Sequence, residues 1–259
     1  DYILVGIIIG MAIFNGVILN IQLPTVVYKM LLGCDISVDD LAQLKPTVAK
    51  QLRNLISLSS EELEACELYF EILINGEVKE LRSQGSSIPV TQENLKLYIS
   101  LYVKYYLYDS ISSSFDAFKK GFWLICNGKV MNLLRPSELE VLICGSTKID
   151  FTELQKITKY QNGYKPQSEV IQWFWEVLHE LSYEQKKHFL LFATGAPRAP
   201  VNGLSTINFT IQRSGPHSDH LPVAHTCYNI IDLPEYNSKE YLKNRLLHAI
   251  HNFQGFGLA

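Results

Sequence analysis

The chain has 259 residues, 47% of them hydrophobic, enough apolar material for one large domain or two modest ones with buried cores. Its 23 basic and 26 acidic residues leave a formal charge of −3 with no long run of either sign, which excludes the electrostatic footprint of a nucleic-acid binder. Five cysteines, Cys34, Cys66, Cys126, Cys144 and Cys227, stand far apart without a Cys-x-x-Cys pair, so neither a disulfide framework nor a thiolate zinc knuckle is expected, and a reducing, cytoplasmic compartment fits.

Residues 2–21 are nearly all apolar and include Gly6-Ile7-Ile8-Ile9-Gly10, the spacing of a membrane helix pair. Asn15, Gly16 and Asn20 interrupt the run, no basic flank follows and Pro24 ends it, so a buried core helix is expected rather than a membrane span. The opening on Asp1, without a signal-peptide pattern, reads as a piece of a longer protein. Ser37 with Asp40 has the form of a capping box ahead of Leu41 and Leu44, and Pro46 suits the first turn of a helix through Leu52, Leu55 and Ile56. Residues 66–74 alternate loosely toward Asn75-Gly76, a hairpin signal, with 77–81 as the returning strand. Thr91 then caps an aromatic helix with Leu95, Tyr98, Ile99, Tyr102, Tyr105 and Tyr106 at helical spacing. Without a basic patch, those rings are expected to pack rather than stack on bases.

Helices follow from Ser112 through Phe115, Phe118 and Phe122, and over 136–144, the latter closed by Gly145. Gly145, Ser146 and Thr147 form a candidate hinge, small residues between two differently patterned regions. Beyond it the spacing predicts helices over 151–158, 168–180 and 182–194, with Ser182 and Gln185 as a capping box. Strands are predicted over 206–212 and 223–229, and Ser238 caps a last helix with Leu242, Leu246, Ile250 and Phe253 on one face. The expected class is α+β: a mostly helical first lobe over 1–144, a hinge at 145–147 and a mixed α/β second lobe over 148–259.

Titratable residues concentrate near the end, where His217, His220, His225 and Cys227 lie within eleven positions. Zinc is one reading, but His225 and Cys227 would share one strand face while His217 and His220 lie in a Gly-Pro loop, and no second ligand pair has standard spacing. The others are a nucleophilic cysteine tuned by His225 and a buried, inert thiol, which composition alone favours. A free thiol titrating near about 8.5 is only about 3% thiolate at pH 7, so modest tuning would suffice.

The flanking residues change the balance. Residues 221–236, LPVAHTCYNIIDLPEY, resemble the active-site segment of the HECT ubiquitin ligases, whose pattern is Leu-Pro-x-(Ala or Ser)-His-Thr-Cys-Phe-Asn followed by Leu-Pro-x-Tyr. Leu221, Pro222, Ala224, His225, Thr226, Cys227, Asn229, Leu233, Pro234 and Tyr236 match it, and Tyr228 replaces the usual Phe. SSIPVTQENLKLYISLY, AFKKGF, ELEVLICGSTKIDF, the Phe174-Trp175 pair, FATGAPRAP and SKEYLKNRLLHAIHNFQGFGLA extend the likeness over essentially the whole chain. The Gly-Phe-Gly ending resembles the subgroup that includes ligases with RCC1-like repeats upstream.

The resemblance implies a two-lobed fold, with a larger N-lobe whose first part is missing here, a flexible hinge, and a smaller C-lobe that carries the cysteine. It implies that Cys227 accepts ubiquitin, or a ubiquitin-like modifier, as a thioester from a conjugating enzyme and passes it to a lysine of a protein substrate. His225 and Thr226 would shape the thiolate and the thioester oxygen, and Phe256 would organise lysine attack. Leu52, Leu68 and Phe115 would be apolar contacts for the conjugating enzyme. No cofactor or metal is implied. The competing expectations are a non-catalytic module that only binds a conjugating enzyme and, less favoured, a cysteine protease.

Overall fold

The computed structural model describes residues 1–74 and 76–252. The chain divides into two compact units, one of residues 1–14 and 22–140, the other of 15–21 and 141–259. The division falls after Glu140 rather than at 144, and 15–21 belongs with the second unit. There the Leu19 N–H donates to the Ile143 carbonyl at 2.9 Å, and the Cys144 thiol points to the Ile21 carbonyl at 3.4 Å.

The first unit is helical apart from one hairpin. It runs α1 (Tyr2–Phe14), α2 (Thr25–Leu31), α3 (Val38–Leu44), α4 (Pro46–Ile56), α5 (Ser60–Glu64), β1 (Glu71–Ile74), β2 (Glu77–Glu80), α6 (Leu95–Leu107) and α7 (Ser112–Ile125). Glycines let α1 lie directly on α7: a Cβ on Gly6 would collide with the backbone of Phe118, and one on Gly121 with the Ile3 carbonyl. That approach buries Gly6, Ile9, Gly10 and Ala12. It covers one side only. Tyr2, Leu4, Val5, Ile8, Met11 and Phe14 are exposed, so the expectation of an interior helix holds for the α7-facing side alone. No helix among the described residues is long and apolar enough to cross a membrane.

Ser37 and Asp40 form the expected capping box of α3, and the Asp40 carboxylate also receives Lys29 from α2 at 2.8 Å. Burial opposes ionisation of Asp40, but bonds from Lys29 and Ser37 outweigh it and hold its carboxyl below the usual range. Thr91 does not cap α6. The Asn94 side chain accepts from the Thr91 N–H at 2.8 Å, closing a turn that delays the helix to Leu95. β1 and β2 pair antiparallel, Glu71 opposite Glu80; Asn75, part of the predicted turn, lies outside the described residues, while Gly76 adopts φ +84°.

After α8 (Pro136–Cys144) come α9 (Phe151–Ile157), β3 (Lys159–Gln161), α10 (Glu169–Glu180), α11 (Tyr183–Thr194), β4 (Thr210–Arg213), β5 (Val223–His225), β6 (Ile230–Leu233) and α12 (Lys239–Asn252). The sheet has the order β3-β4-β6-β5, parallel except for β5 against β6. Ile211, Ile231 and Leu233 are fully buried and join Phe174, Phe189 and Leu246 from the helices in one core. Period-two alternation sends Gln212 and Asp232 to the other face. Ser182 with Gln185 caps α11 as expected, and Ser238 caps α12 through the Tyr241 N–H at 3.2 Å.

Candidate active site

Antiparallel pairing of His225 with Ile230 leaves four residues, 226–229, to turn the chain between β5 and β6. They wind as one turn of 3-10 helix, Thr226–Tyr228, closed by Asn229 in the left-handed region at φ 52°, where asparagine is tolerated better than most residues. The Asn229 N–H reaches the Thr226 carbonyl at 3.3 Å, and the Asn229 carbonyl accepts from the Thr210 N–H at 3.0 Å. Both ends of the loop are thus fixed to the sheet. The predicted strand over 223–229 therefore stops at His225, and Cys227 stands at a hairpin tip instead of on a strand face.

Cys227 is exposed and free, whereas Cys126 and Cys144 are buried, and burial pushes the Cys126 thiol up. Cys34 and Cys66 are also exposed, but neither sits beside a histidine in sequence. Thr226 is half-buried near the end of α11, where a Cβ on Gly195 would come within 3.8 Å of it. Tyr228 is 74% exposed. His225 Nε2 lies 2.9 Å from Asp232 Oδ2, and the Gln212 side-chain amide donates to Asp232 Oδ1. Sequence reading passed over Asp232 and Gln212; the signal was an acidic residue between Ile231 and Leu233, out of place in an apolar run.

His217 packs edge-on against Tyr241 at 5.0 Å, and the His220 carbonyl accepts from the Tyr236 hydroxyl at 2.6 Å. Among the described residues no group of three or more His, Cys, Asp or Glu side chains gathers to hold a metal ion.

The other expected residues are scattered. Gly145 ends α8 at φ +81°, where a Cβ would press on the Ala199 carbonyl at 2.7 Å. Ser146 exchanges two backbone hydrogen bonds with Ala199, at 2.7 and 2.9 Å, and the Thr147 carbonyl accepts from the Tyr183 hydroxyl at 3.1 Å. Leu52 and Phe115 are only 3% and 6% exposed because both lie on the inward sides of amphipathic helices. Leu52 packs the interior, whereas Phe115, though mostly buried, also lines an apolar cleft beside α1. Leu68 is half-buried. Phe256 lies outside the described residues.

The chain matches the family described as HECT-domain (ubiquitin-transferase) over residues 1–259. It is 40% identical to the human protein named "Probable E3 ubiquitin-protein ligase HERC4", covering 98% of this chain and 25% of that protein. The human HERC3 ligase is 36% identical over 99% of the chain and 25% of its own length. Mouse HECTD2 is 37% identical over the whole chain and 36% of its length. The chain thus spans about a quarter to a third of the curated relatives it matches. A family match from first residue to last, with the histidine-threonine-cysteine segment raised on a hairpin tip, establishes that this chain belongs to the HECT-domain family of ubiquitin transferases.

Proposed function

We propose that the chain is the catalytic part of a ubiquitin-protein ligase that receives ubiquitin from a conjugating enzyme as a thioester on Cys227 and passes it to a substrate lysine. One observation carries the reading: the Cys227 thiol is exposed at the tip of a turn tied to the sheet at both ends. Exchange of one thioester for another is nearly balanced in energy, so holding the reacting atoms together supplies most of the catalysis. β5 ends the sheet among the described residues. Its outer edge suits the extended tail of a modifier, added as a further strand that runs toward the sulfur.

Delivery from donor to acceptor requires the part of the second unit beyond Gly145 to turn, and we place the pivot at Gly145. Ser146 and Thr147 travel with that unit through their bonds to Ala199 and Tyr183. The conjugating enzyme docks on the first unit, with Leu68 and the cleft-lining Phe115 as the contacts retained from sequence. Phe256 organises lysine attack, a role supported by its position in the family tail. Proteins are the substrates, ubiquitin or a ubiquitin-like modifier the cargo, and nucleic acid is no partner of a chain with charge −3 and no basic run. The scattered cysteines, none of them in a disulfide, support a cytoplasmic setting.

The test is a nonreducing gel after incubation with activating enzyme, conjugating enzyme, ATP and labelled modifiers. A reducible adduct is expected, absent in Cys227→Ala and resistant to reductant in Cys227→Ser. An unchanged reducible adduct on Cys227→Ala would move the chemistry to another sulfur. Deletion of residues 256–259 is expected to slow lysine transfer far more than loading, and equal losses would remove the tail from the transfer step.

A further inference from the structure

We infer that Asp232 is a positioning residue for lysine transfer, holding His225 so that the ring's Nδ1 takes the proton that the attacking amine releases; this rests on the reading of Cys227 as the thioester carrier. The sheet register makes the arrangement possible. Gln212 lies directly opposite Asp232, and Asp232 lies opposite Val223, two residues before His225 and so on the same face of β5. Three neighbouring strands therefore present Gln212, Asp232 and His225 on the face away from the core. The Gln212 amide anchors one carboxylate oxygen and the other meets His225 Nε2 at 2.9 Å. An ionised carboxylate can only accept, so Nε2 carries the proton and Nδ1 is the ring's acceptor. The Asp232 side chain is 24% exposed and that of His225 47%, so the anchor is sheltered while the ring is open to solvent.

The transfer step balances as follows. The lysine amine nitrogen attacks the thioester carbonyl carbon, forming C–N as C–S breaks, and the electron pair of C–S stays on sulfur. The proton shed by nitrogen passes to Nδ1 and from there to the Cys227 thiolate, restoring thiol and neutral imidazole. Loading makes a smaller demand, because a thiol releases its proton about two pH units more readily than an alkylammonium. Asp232 should therefore matter more for discharge than for loading.

Single-turnover assays on the 259-residue chain separate the two steps. Asp232→Asn is expected to slow discharge to free lysine by about thirty-fold and loading by no more than about threefold, by analogy with the loss on removing the carboxylate that orients a metal-bound histidine. Asp232→Glu, which keeps the carboxylate, recovers most of the discharge rate. The double variant His225→Gln with Asp232→Asn is no slower than His225→Gln alone, because Asp232 acts through that ring. Multiplying losses in the double variant, or equal losses in loading and discharge, would overturn the inference. Nitrogen-15 shifts of the neutral His225 ring give a second readout that needs no variant: protonated Nε2 is expected, and protonated Nδ1 overturns it. A chain that forms no adduct at all would overturn the ligase reading and this inference together, whereas an adduct discharged equally fast by Asp232→Asn would overturn this inference alone.

Discussion

Where α1 meets α7, backbone lies against backbone and Gly6, Gly10 and Gly121 make the room. In the second unit Phe189 instead touches Phe151, Phe174 and Phe209, with ring centroids 5.3 to 6.5 Å apart. The first arrangement needs little side-chain volume and admits none in addition; the second depends on volume and tolerates reshaping so long as it is filled. The helix held through glycines keeps an apolar side exposed, beside a cleft of about 310 Å³ lined by Tyr2, Val5, Ile9, Leu23, Phe115 and Phe118. The ring-filled unit closes its core and leaves Gln212, Asp232 and His225 on the polar face of its sheet.

Substitutions of opposite size probe that contrast. Gly121→Val should cost the most, about 5 kcal/mol and above the usual overpacking range, because the obstruction is the Ile3 carbonyl rather than a movable side chain. Urea unfolding would measure it, and a loss under about 1 kcal/mol would mean that α1 slides freely on α7. Phe189→Ala should cost about 4 kcal/mol by leaving a cavity among three rings; a smaller loss than Asp40→Ala would reverse the ranking of the units. Asp40→Ala should cost about 2 kcal/mol, less than a fully buried pair because Lys29 keeps contact with water. Because the folded pKa of Asp40 is lowered, its contribution is whole above about pH 4 and drains as pH falls toward the folded value. Asp40→Ala should therefore flatten the acid limb of stability against pH, and an unchanged limb would assign it to other carboxylates. Ser182→Ala should cost only about 1 kcal/mol, one cap of α11, and a larger loss would show that the ring-filled unit leans on its helix ends.

Much of this was legible in sequence because local signals agreed. Pro136 and Gly145 bracket α8, and Ser182 with Gln185 starts α11. Recognition of the cysteine rested on its flanking motif, which no periodicity supplies. The losses have physical causes. β3 and β6 span three and four residues, and the partner of β3 lies some fifty positions away, too distant for a local pattern to register. The strand pattern breaks off at His225 because the chain winds into a turn that Asn229 closes in the left-handed region, which alternation alone does not foresee. Leu52 is apolar and helical, but apolarity does not say which side of a helix faces water. Asp232 was hidden because its meaning depends on partners from two other strands.

The outer edge of β5, unpaired among the described residues, also bears on handling the protein. Val223 is 52% exposed there, and bare strand edges invite pairing between molecules. Only three residues long, β5 gives such pairing a weak grip, yet any crowding that drew two copies together along it would mask the sulfur proposed to carry the thioester, so turnover per molecule should fall as the preparation is concentrated.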